Sequence, residues 1–229
     1  MIVAIHQPNY IPWLGYFRKI VAADVFVIFD NVQMPMGKSY VTRNLIKLPT
    51  GGHWLTVPVQ KLGHPGLISE TRIVEGPWAR KHLATLRSAY AGSAWLGEVT
   101  CLLEVSYQAG HRSIASLNVD IVKRLTRYLG TDRVEFVRAS SMQHKSTGAQ
   151  SIVSILQELG ATTYLTGEGA GSMRYLDVPQ LDRLGIETVF VGNTLPAYPQ
   201  RYGEFLPGLS IVDALLNCGP QAVMQLLKG

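Results

Sequence analysis

The stretch MIVAIHQPNYIPWLGYFRKIVAADVFVIFD, residues 1–30, is the part of the chain that decides the fold prediction. Its apolar run at residues 2–5 is followed by the polar turn His6-Gln7-Pro8-Asn9, which indicates a short buried strand of a parallel sheet. Apolar residues at positions 14, 17, 20 and 21 have helical spacing, and a second apolar run ends on Asp30. This order predicts a β-loop-α-β unit. Because ligands of open α/β sheets bind beyond the carboxyl ends of the strands, His6 and Asp30 are expected at one rim.

The last third of the chain continues the alternation of strands and helices. Strands are predicted at 134–140, 162–167 and 186–192, with helices at 148–160 and near 178–184. A last helix, capped by Ser210, is predicted over 210–218. The alternation predicts an α/β fold with a doubly wound, mostly parallel, Rossmann-like sheet.

The middle of the chain has a different pattern. Residues 31–52 show no periodicity and are predicted to be a long functional loop. A β-hairpin is predicted from 53–61 and 67–74 across the turn at 63–66, followed by helices that begin at Pro77 and cover 96–108 and 114–129. We therefore predict a single α/β domain over residues 1–229, with a β-hairpin and helical insertion at 53–130.

Composition restricts the class of ligand. The chain has 229 residues, is 47% hydrophobic and carries a net charge of +5, which suits a small anionic ligand such as a nucleotide or nucleotide-sugar. Basic residues form no run or aromatic-interleaved stripe, so no nucleic-acid partner is expected. With no signal peptide and no apolar stretch of roughly 18 residues, we expect a cytoplasmic protein without a membrane partner. The sequence is also compatible with an oligomer.

Several catalytic classes have no support in the sequence. There is no G-x-S-x-G nucleophile elbow, and neither Cys101 nor Cys218 has a nearby histidine. The six histidines are dispersed, so no metal site is predicted. A covalent or metal-dependent mechanism is therefore not expected.

The first loop is the main candidate site, because the first βα loop of a doubly wound sheet is the usual phosphate-binding corner. His6 and Asn9 could donate hydrogen bonds to a phosphate or polarise a carbonyl. The alternative is that His6 only bonds the backbone while Pro8 and Pro12 shape a turn. Of the H-x-G-H pattern of nucleotidyltransferases, only His6 and Gly15 are matched.

Further candidates lie along the chain. The glycine loop at residues 167–171 follows a predicted strand, as a phosphate cradle does, although its G-x-G-x-G spacing is not the dinucleotide fingerprint, and a permissive turn is the alternative. Arg43 and Lys47 could neutralise phosphates or be ordinary surface cations. The predicted catalytic residues are His6 and Asp30. The predicted substrate-binding residues are Gln7, Asn9, Tyr10, Trp13, Arg43, Asn44, Lys47, Gly167, Glu168, Gly169, Tyr175, Asp177, Tyr198 and Gln200.

Several segments together resemble the WbqC-like protein family. They are IVAIHQPNYIPWLGYFRKI (2–20), RNLIK (43–47), WLTVPV (54–59), TYLTGEGA (163–170), YLD (175–177), YPQ (198–200) and FLPGLSIVD (205–213). The resemblance covers nearly the whole chain. Members occur in bacterial O-antigen and related sugar or natural-product gene clusters, so the resemblance implies a biosynthetic role. It carries over no residue roles.

The resulting hypothesis is a transferase that adds an acyl or aminoacyl group to an amine of a nucleotide-linked sugar or a similar substrate. His6 or Asp30 would be the base, and Asn9, Arg43 and Lys47 would bind phosphate or developing charge. ATP is a candidate co-substrate, with its triphosphate in the 167–171 loop. The alternatives are an ATP-using ligase or nucleotidyltransferase of H-x-G-H-like architecture and a non-catalytic partner protein of a biosynthetic complex.

Overall fold

A five-stranded sheet and a two-stranded hairpin organise the computed structural model, which describes residues 1–60, 66–143, 146, 148–173, 176–192 and 196–229. The strands are β1 (Ile2–His6), β2 (Val25–Ile28), β3 (Arg43–Leu48), β4 (Gly51–Thr56), β5 (Glu135–Arg138), β6 (Thr163–Gly167) and β7 (Glu187–Val191). The helices are α1 (Leu14–Ala22), α2 (Trp78–Ala89), α3 (Leu96–Gln108), α4 (Ile114–Tyr128), α5 (Ala149–Glu158), α6 (Ala170–Met173), α7 (Val178–Arg183) and α8 (Ile211–Lys228). The predicted site residue Tyr175 and residues 63–65 of the predicted turn lie outside the described residues.

The large sheet has the strand order β5-β2-β1-β6-β7, and every neighbouring pair is parallel. The chain starts in the middle of the sheet, builds outward through β2 and β5, and then crosses to the other side of β1 to add β6 and β7. The predicted doubly wound α/β fold is therefore confirmed. The direction of growth reverses between β1 and β6, which is the topological switch point of the sheet.

Both faces of the sheet are covered because successive side chains of a strand point in opposite directions. On β1, Ala4 belongs to a core shared with α1, α4 and α8, whereas Val3 and Ile5 belong to a second core on the α5 and α7 side. Strands that are buried on both faces have continuous apolar sequences, which explains why β1 and β2 lack alternation.

The hairpin lies earlier in the chain than the sequence predicted. β3 pairs antiparallel with β4, and residues 49–50 connect them, so the predicted loop at 31–52 and the predicted strand at 53–61 are wrong in their bounds. The polar residues of RNLIKL interrupt the apolar pattern, so the sequence did not predict this strand. The predicted pairing of 53–61 with 67–74 is reduced to a single bridge between Val59 and Ile73.

The predicted helices at 96–108 and 114–129 coincide with α3 and α4, and α2 begins directly after Pro77. The last helix is longer than predicted. Ser210 caps it by accepting a hydrogen bond from Val212 N, but helical structure continues to Lys228 across a break at Gly219, whose φ is +82°. The predicted end at residue 218 coincides with this break, after which the chain forms a second helical segment. No helix within the described ranges combines the length and apolarity that crossing a bilayer requires.

Candidate functional site

The pairing of β1 with β6 stops before either strand ends, and the unpaired strand ends at this switch point are called the crevice below. Their last paired residues are Ala4 and Leu165, although β1 continues to His6 and β6 to Gly167. On its other side β1 stays paired with β2 as far as His6, whose carbonyl accepts a hydrogen bond from Phe29 N at 2.8 Å. His6 therefore lies on a fixed strand end at the switch point, the position at which doubly wound sheets bind ligands.

The ring of His6 is held in one tautomer. Its Nδ1 lies 3.1 Å from the carbonyl oxygen of Gln7, and a carbonyl can only accept, so Nδ1 carries the proton and Nε2 keeps a lone pair in the neutral ring. The Tyr16 hydroxyl donates to the same oxygen at 3.1 Å. The edges of Tyr16 and Trp13 pack on the imidazole, with ring centroids 4.7 and 5.8 Å away. Nε2 is thus a defined hydrogen-bond acceptor.

Lys19 is a buried lysine whose charge acts on this histidine. Burial, followed by the positive charge of Lys19, lowers the pKa of His6 well below its usual value. Lys19 is only 5% exposed, and burial lowers its own pKa to about 7. Among the described residues, no carboxylate lies within 4.0 Å of the Lys19 ammonium. A buried lysine without an acidic partner among the described residues, whose charge acts on His6, is a candidate functional residue.

Lys19 is a candidate that the sequence pattern does not reveal. Helix α1 contacts β1, β2 and β7 on one side and α8 on another, so a position outside its main apolar stripe is also buried. The covering helix α8 is distant in sequence, and helical periodicity alone could not reveal it. The one available signal was a lysine between Phe17 and Ile20 in a helix that joins two buried strands.

The loop after β1 is strained and is held by buried amides. Ile11 has a φ of +34°, which is unfavourable for a β-branched residue. Asn44 Nδ2 donates to the carbonyl oxygens of Ile11 (2.9 Å) and Tyr10 (3.2 Å), and Asn118 Nδ2 donates to that of Pro8 (2.8 Å). Asn44 was predicted to bind substrate. The structure places it in the interior, where its amide fixes the conformation of the loop.

Asn9 and Tyr10 also lie in the interior. The Tyr10 hydroxyl is hydrogen-bonded to His82 Nδ1 at 2.9 Å and to the Tyr107 hydroxyl. Burial lowers the pKa of His82 to about 4, so this cluster is neutral at physiological pH. The contacts attach the first loop to helices α2 and α3. In this arrangement Tyr10 anchors the loop and its hydroxyl is already engaged.

Asp30 lies at the same rim as His6 but is fully engaged. It has no exposed surface, and its carboxylate accepts hydrogen bonds from Arg138 Nε (2.8 Å), Ser140 N (2.9 Å) and Ser140 Oγ (2.9 Å). These contacts join the ends of β2 and β5. Because its oxygens are occupied by three donors at the junction of β2 and β5, the geometry favours a positioning role over the predicted role as base.

Lys47, Tyr198 and Gln200 belong to a second cluster, centred on the buried carboxylate of Asp213. Asp213 accepts hydrogen bonds from the hydroxyls of Tyr90 (2.5 Å) and Tyr198 (2.8 Å). The Lys47 ammonium donates to Gln200 Oε1 (3.2 Å) and to the carbonyl of Glu204. Tyr198 bonds the Asp213 carboxylate, and Lys47 and Gln200 bond each other and the main chain, so the structure does not bring these three predicted substrate ligands to His6.

The glycine loop follows β6 at the switch point. Neither Gly167 nor Gly169 has a positive φ, and nothing in the described part of the chain lies within 4 Å of a Cβ placed on Gly169. Local packing therefore does not require glycine there, which leaves space for close approach of a ligand. Glu168 is exposed. Asp177 instead caps α7 by accepting a hydrogen bond from Gln180 N at 3.0 Å.

Two of the predicted site residues, Trp13 and Arg43, belong to a row of side chains that extends from His6 to the hairpin. Trp13 packs on His6 and on Tyr40, and the Arg43 guanidinium lies 4.0 Å above the ring of Trp54.

Two shallow surface grooves of about 450 and 300 Å³ lie elsewhere, the first beside Pro49 and Tyr202 and the second beside Pro199 and Cys218. Neither groove is lined by a titratable residue of the crevice, so the site is assigned from the sheet topology and the side-chain chemistry.

Comparison with known proteins places the chain among relatives of undescribed activity. The model of the WbqC-like protein family matches residues 7–225. The uncharacterized protein Rv1507c of Mycobacterium tuberculosis is 34% identical over 225 residues, which cover 96% of this chain and 95% of that protein. No solved structure matches the chain. Because the family model and this relative both extend over nearly the whole sequence, from the first loop to α8, the chain belongs to the WbqC-like protein family.

Proposed function

We propose that the protein is a transferase that moves an acyl or aminoacyl group to the amine of a nucleotide-linked sugar or a similar small amine in bacterial surface-sugar or natural-product biosynthesis. The observation that carries the proposal is the neutral imidazole of His6 at the carboxyl end of β1, whose Nδ1 is hydrogen-bonded to the Gln7 carbonyl and whose Nε2 therefore keeps its lone pair. The context of biosynthesis comes from the family resemblance.

The reaction needs a base that removes one proton from the attacking amine. The amine nitrogen forms a bond to the carbonyl carbon of an activated acyl donor, such as a thioester or an acyl phosphate, and the bond to the leaving group breaks. The leaving group departs with the electron pair of that bond. His6 Nε2 takes the amine proton and delivers it to the leaving group, so atoms and charge balance.

The positive charge of Lys19 makes the protonated form of His6 short-lived in this scheme. Two adjacent buried cations repel each other, so an imidazolium at His6 is unfavourable while Lys19 carries its proton. His6 therefore holds the amine proton only briefly. Asp30 and Asn44 act indirectly in this scheme, since they fix the strand ends and the loop that position His6.

The diphosphate of the substrate would meet the glycine loop, and Arg43 would meet the end of the substrate that is distant from His6. The open space at Gly169 allows a diphosphate to approach the backbone closely. No carboxylate among the described residues pairs with Arg43, so its guanidinium is available to hydrogen-bond acceptors of the substrate. A net charge of +5 favours such a substrate.

The test is an activity screen with purified protein. Nucleotide-linked amino sugars are incubated with acyl-coenzyme A thioesters, acyl phosphates, or amino acids plus ATP, and amide products are detected by mass spectrometry. We expect a mass gain of one acyl group, and a rate about 100-fold lower or less in His6→Ala. His111→Ala, which removes a histidine that contacts Asp120 elsewhere, should keep the wild-type rate. An unchanged rate in His6→Ala, or no amide from any donor, would overturn the proposal.

A second candidate is ATP-dependent ligation or nucleotidyl transfer. The observation that favours it is the glycine loop after β6, next to β1 at the switch point, where nucleotide phosphates bind in many sheets of this topology. Pyrophosphate release in the same screen distinguishes the two. Release that depends on ATP and on the amine supports ligation, whereas amide formation from a preformed thioester without ATP supports simple transfer.

A further inference from the structure

We propose that Trp13, Tyr40 and Trp54 form an aromatic platform that binds the base of a nucleoside diphosphate, with Arg43 at its outer end. The inference deepens the proposed function, on which it rests for the placement of the reacting sugar at His6. Nucleotide binding on the platform can be tested independently of any reaction.

The rings form a continuous row that begins at the crevice. The centroid of Trp13 is 5.8 Å from that of His6, Tyr40 is 5.4 Å beyond Trp13, and Trp54 is 5.9 Å beyond Tyr40. Successive rings are tilted by 55–75°, so they do not cover one another's faces completely. The row connects the end of β1 to the outer hairpin.

The outer rings are accessible although both are large and partly apolar. Tyr40 is 47% exposed and Trp54 is 38% exposed. The alternation of β4 explains why Trp54 points outward, since its neighbour Leu55 is buried, but it does not require an aromatic residue there. Isolated exposed aromatics are ordinary, whereas two in contact that extend a candidate site indicate a binding surface.

The platform is held rigidly by its backbone. Trp54 lies opposite Leu45 in the paired hairpin, and the Tyr40 carbonyl accepts a hydrogen bond from Tyr10 N at 2.9 Å. The next residue, Val41, is fixed by a hydrogen bond of 2.8 Å from Asn118 Nδ2 to its carbonyl. Little conformational entropy would therefore be lost when a ligand stacks on the rings.

The chemistry of the row favours a nucleotide base over an apolar protein partner. Aromatic side chains stack on any base, and the Arg43 guanidinium on Trp54 adds a cation whose edge can bind phosphate or base acceptors. An apolar docking surface would have no need of a cation without an acidic partner. The row also has the direction that a nucleotide-linked sugar needs, with its base on Tyr40 and Trp54 and its sugar toward His6.

The test is calorimetric titration of the purified protein with UDP, dTDP, GDP, ADP and CDP, and with pyrophosphate as a ligand without a base. We expect at least one nucleoside diphosphate to bind, and Trp54→Ala or Tyr40→Ala to weaken that binding by about 5- to 150-fold, the range for loss of one stacking contact. Pyrophosphate affinity should not change. Trp54→Phe should retain most of the affinity, and Phe190→Ala, which removes an exposed aromatic on β7, should match the wild type.

The platform is overturned if none of the five diphosphates binds, or if both alanine variants bind them like the wild type. Nucleotide binding that depends on Trp54 in a protein that forms no amide product contradicts the proposed function and leaves the platform standing. Amide formation whose KM and kcat are the same in Trp54→Ala supports the proposed function and refutes the platform. The two failures are therefore distinguishable.

Discussion

The positive charge of Lys19 acts on the imidazole of His6 at the carboxyl end of β1, and both groups have lowered pKa values because both are buried. Buried cations reduce stability unless they are paired, and no acidic partner of Lys19 lies in the part of the chain that the structure describes. Costly ionisable groups of this kind are concentrated at functional sites. The pair therefore marks the end of β1 more specifically than the polarity of the first loop does.

Replacement of Lys19 by Met should stabilise the protein. Burial moves the pKa of Lys19 from 10.5 to about 7, so at pH 7 the buried amine costs at most about 5 kcal/mol. The folded pKa is the lower one, so the unfolded state binds more protons between about pH 7 and 10.5, and wild-type stability gains from this group as pH rises. Urea denaturation should show the largest advantage of Lys19→Met at pH 7 and a smaller one at pH 9.5.

Arg18→Met is the matched control, because it removes a neighbouring positive charge of the same helix that is less buried. It should change the free energy of unfolding by less than about 1 kcal/mol, with no added slope against pH. A clear loss of stability in Lys19→Met at pH 7 would mean that the ammonium is paired, and would contradict the account of the site.

The same variant should raise the pKa of His6. The charge of Lys19 is the second cause of the lowered pKa, so its removal moves the value back toward 6.5, while burial keeps it below. NMR titration of the histidine Cε1 protons measures this without any substrate, and His6→Gln assigns the resonance. His82 serves as the internal reference, because Lys19 is not among the causes of its lowered pKa. Identical His6 titrations in the wild type and in Lys19→Met would show that the two groups do not interact.

Asp30→Asn should destabilise the fold as well as affect activity. The amide would direct an N–H at one of the donors that now bind the buried carboxylate, and loss of one partner of such a pair costs about 3–5 kcal/mol. Urea denaturation measures the effect, and Asp132→Asn at an exposed position is the control, with an expected change within about 0.5 kcal/mol. Full stability with lost activity would restore Asp30 as a catalytic base.

The sequence predicted those features that depend on strand order, and it failed where side-chain direction depends on distant contacts. His6 and Asp30 were placed at one rim because parallel strands end together, and that placement needs no tertiary detail. Asn44 and Lys47 were taken as ligands because they are polar. Polarity alone cannot distinguish a side chain that binds substrate from one that satisfies buried carbonyls, as Asn44 does for Tyr10 and Ile11.

Trp54 and Tyr40 illustrate the opposite error, because the sequence did not predict them as binding residues. A tryptophan in an alternating strand is ordinarily a core residue, and the register of the hairpin decides which face it occupies. The predicted hairpin began at residue 53 and paired with the wrong segment, so the alignment of Trp54 with Arg43 and Tyr40 was not visible.

The buried carboxylate of Asp213 provides the last prediction. It joins the end of α2, the 198–200 segment and α8 through the hydroxyls of Tyr90 and Tyr198. Burial raises its pKa, and these hydrogen bonds oppose that effect. Tyr90→Phe and Tyr198→Phe each remove one donor, so each should cost about 1.5–3 kcal/mol at pH 7 and raise the pKa of Asp213 further.

The pH dependence of these variants follows from that rise. A folded pKa above the unfolded one means that the native state takes up the proton first as pH falls, so the deficit of each variant is fully present at pH 7 and shrinks as Asp213 becomes protonated. Urea denaturation at pH 7 and pH 4.5 measures it. Tyr128→Phe is the matched control, since its hydroxyl donates to the exposed carboxylate of Glu98 at 2.7 Å and should contribute less than about 1 kcal/mol. If Tyr90→Phe and Tyr198→Phe behave like Tyr128→Phe, the Asp213 cluster does not hold these three segments together.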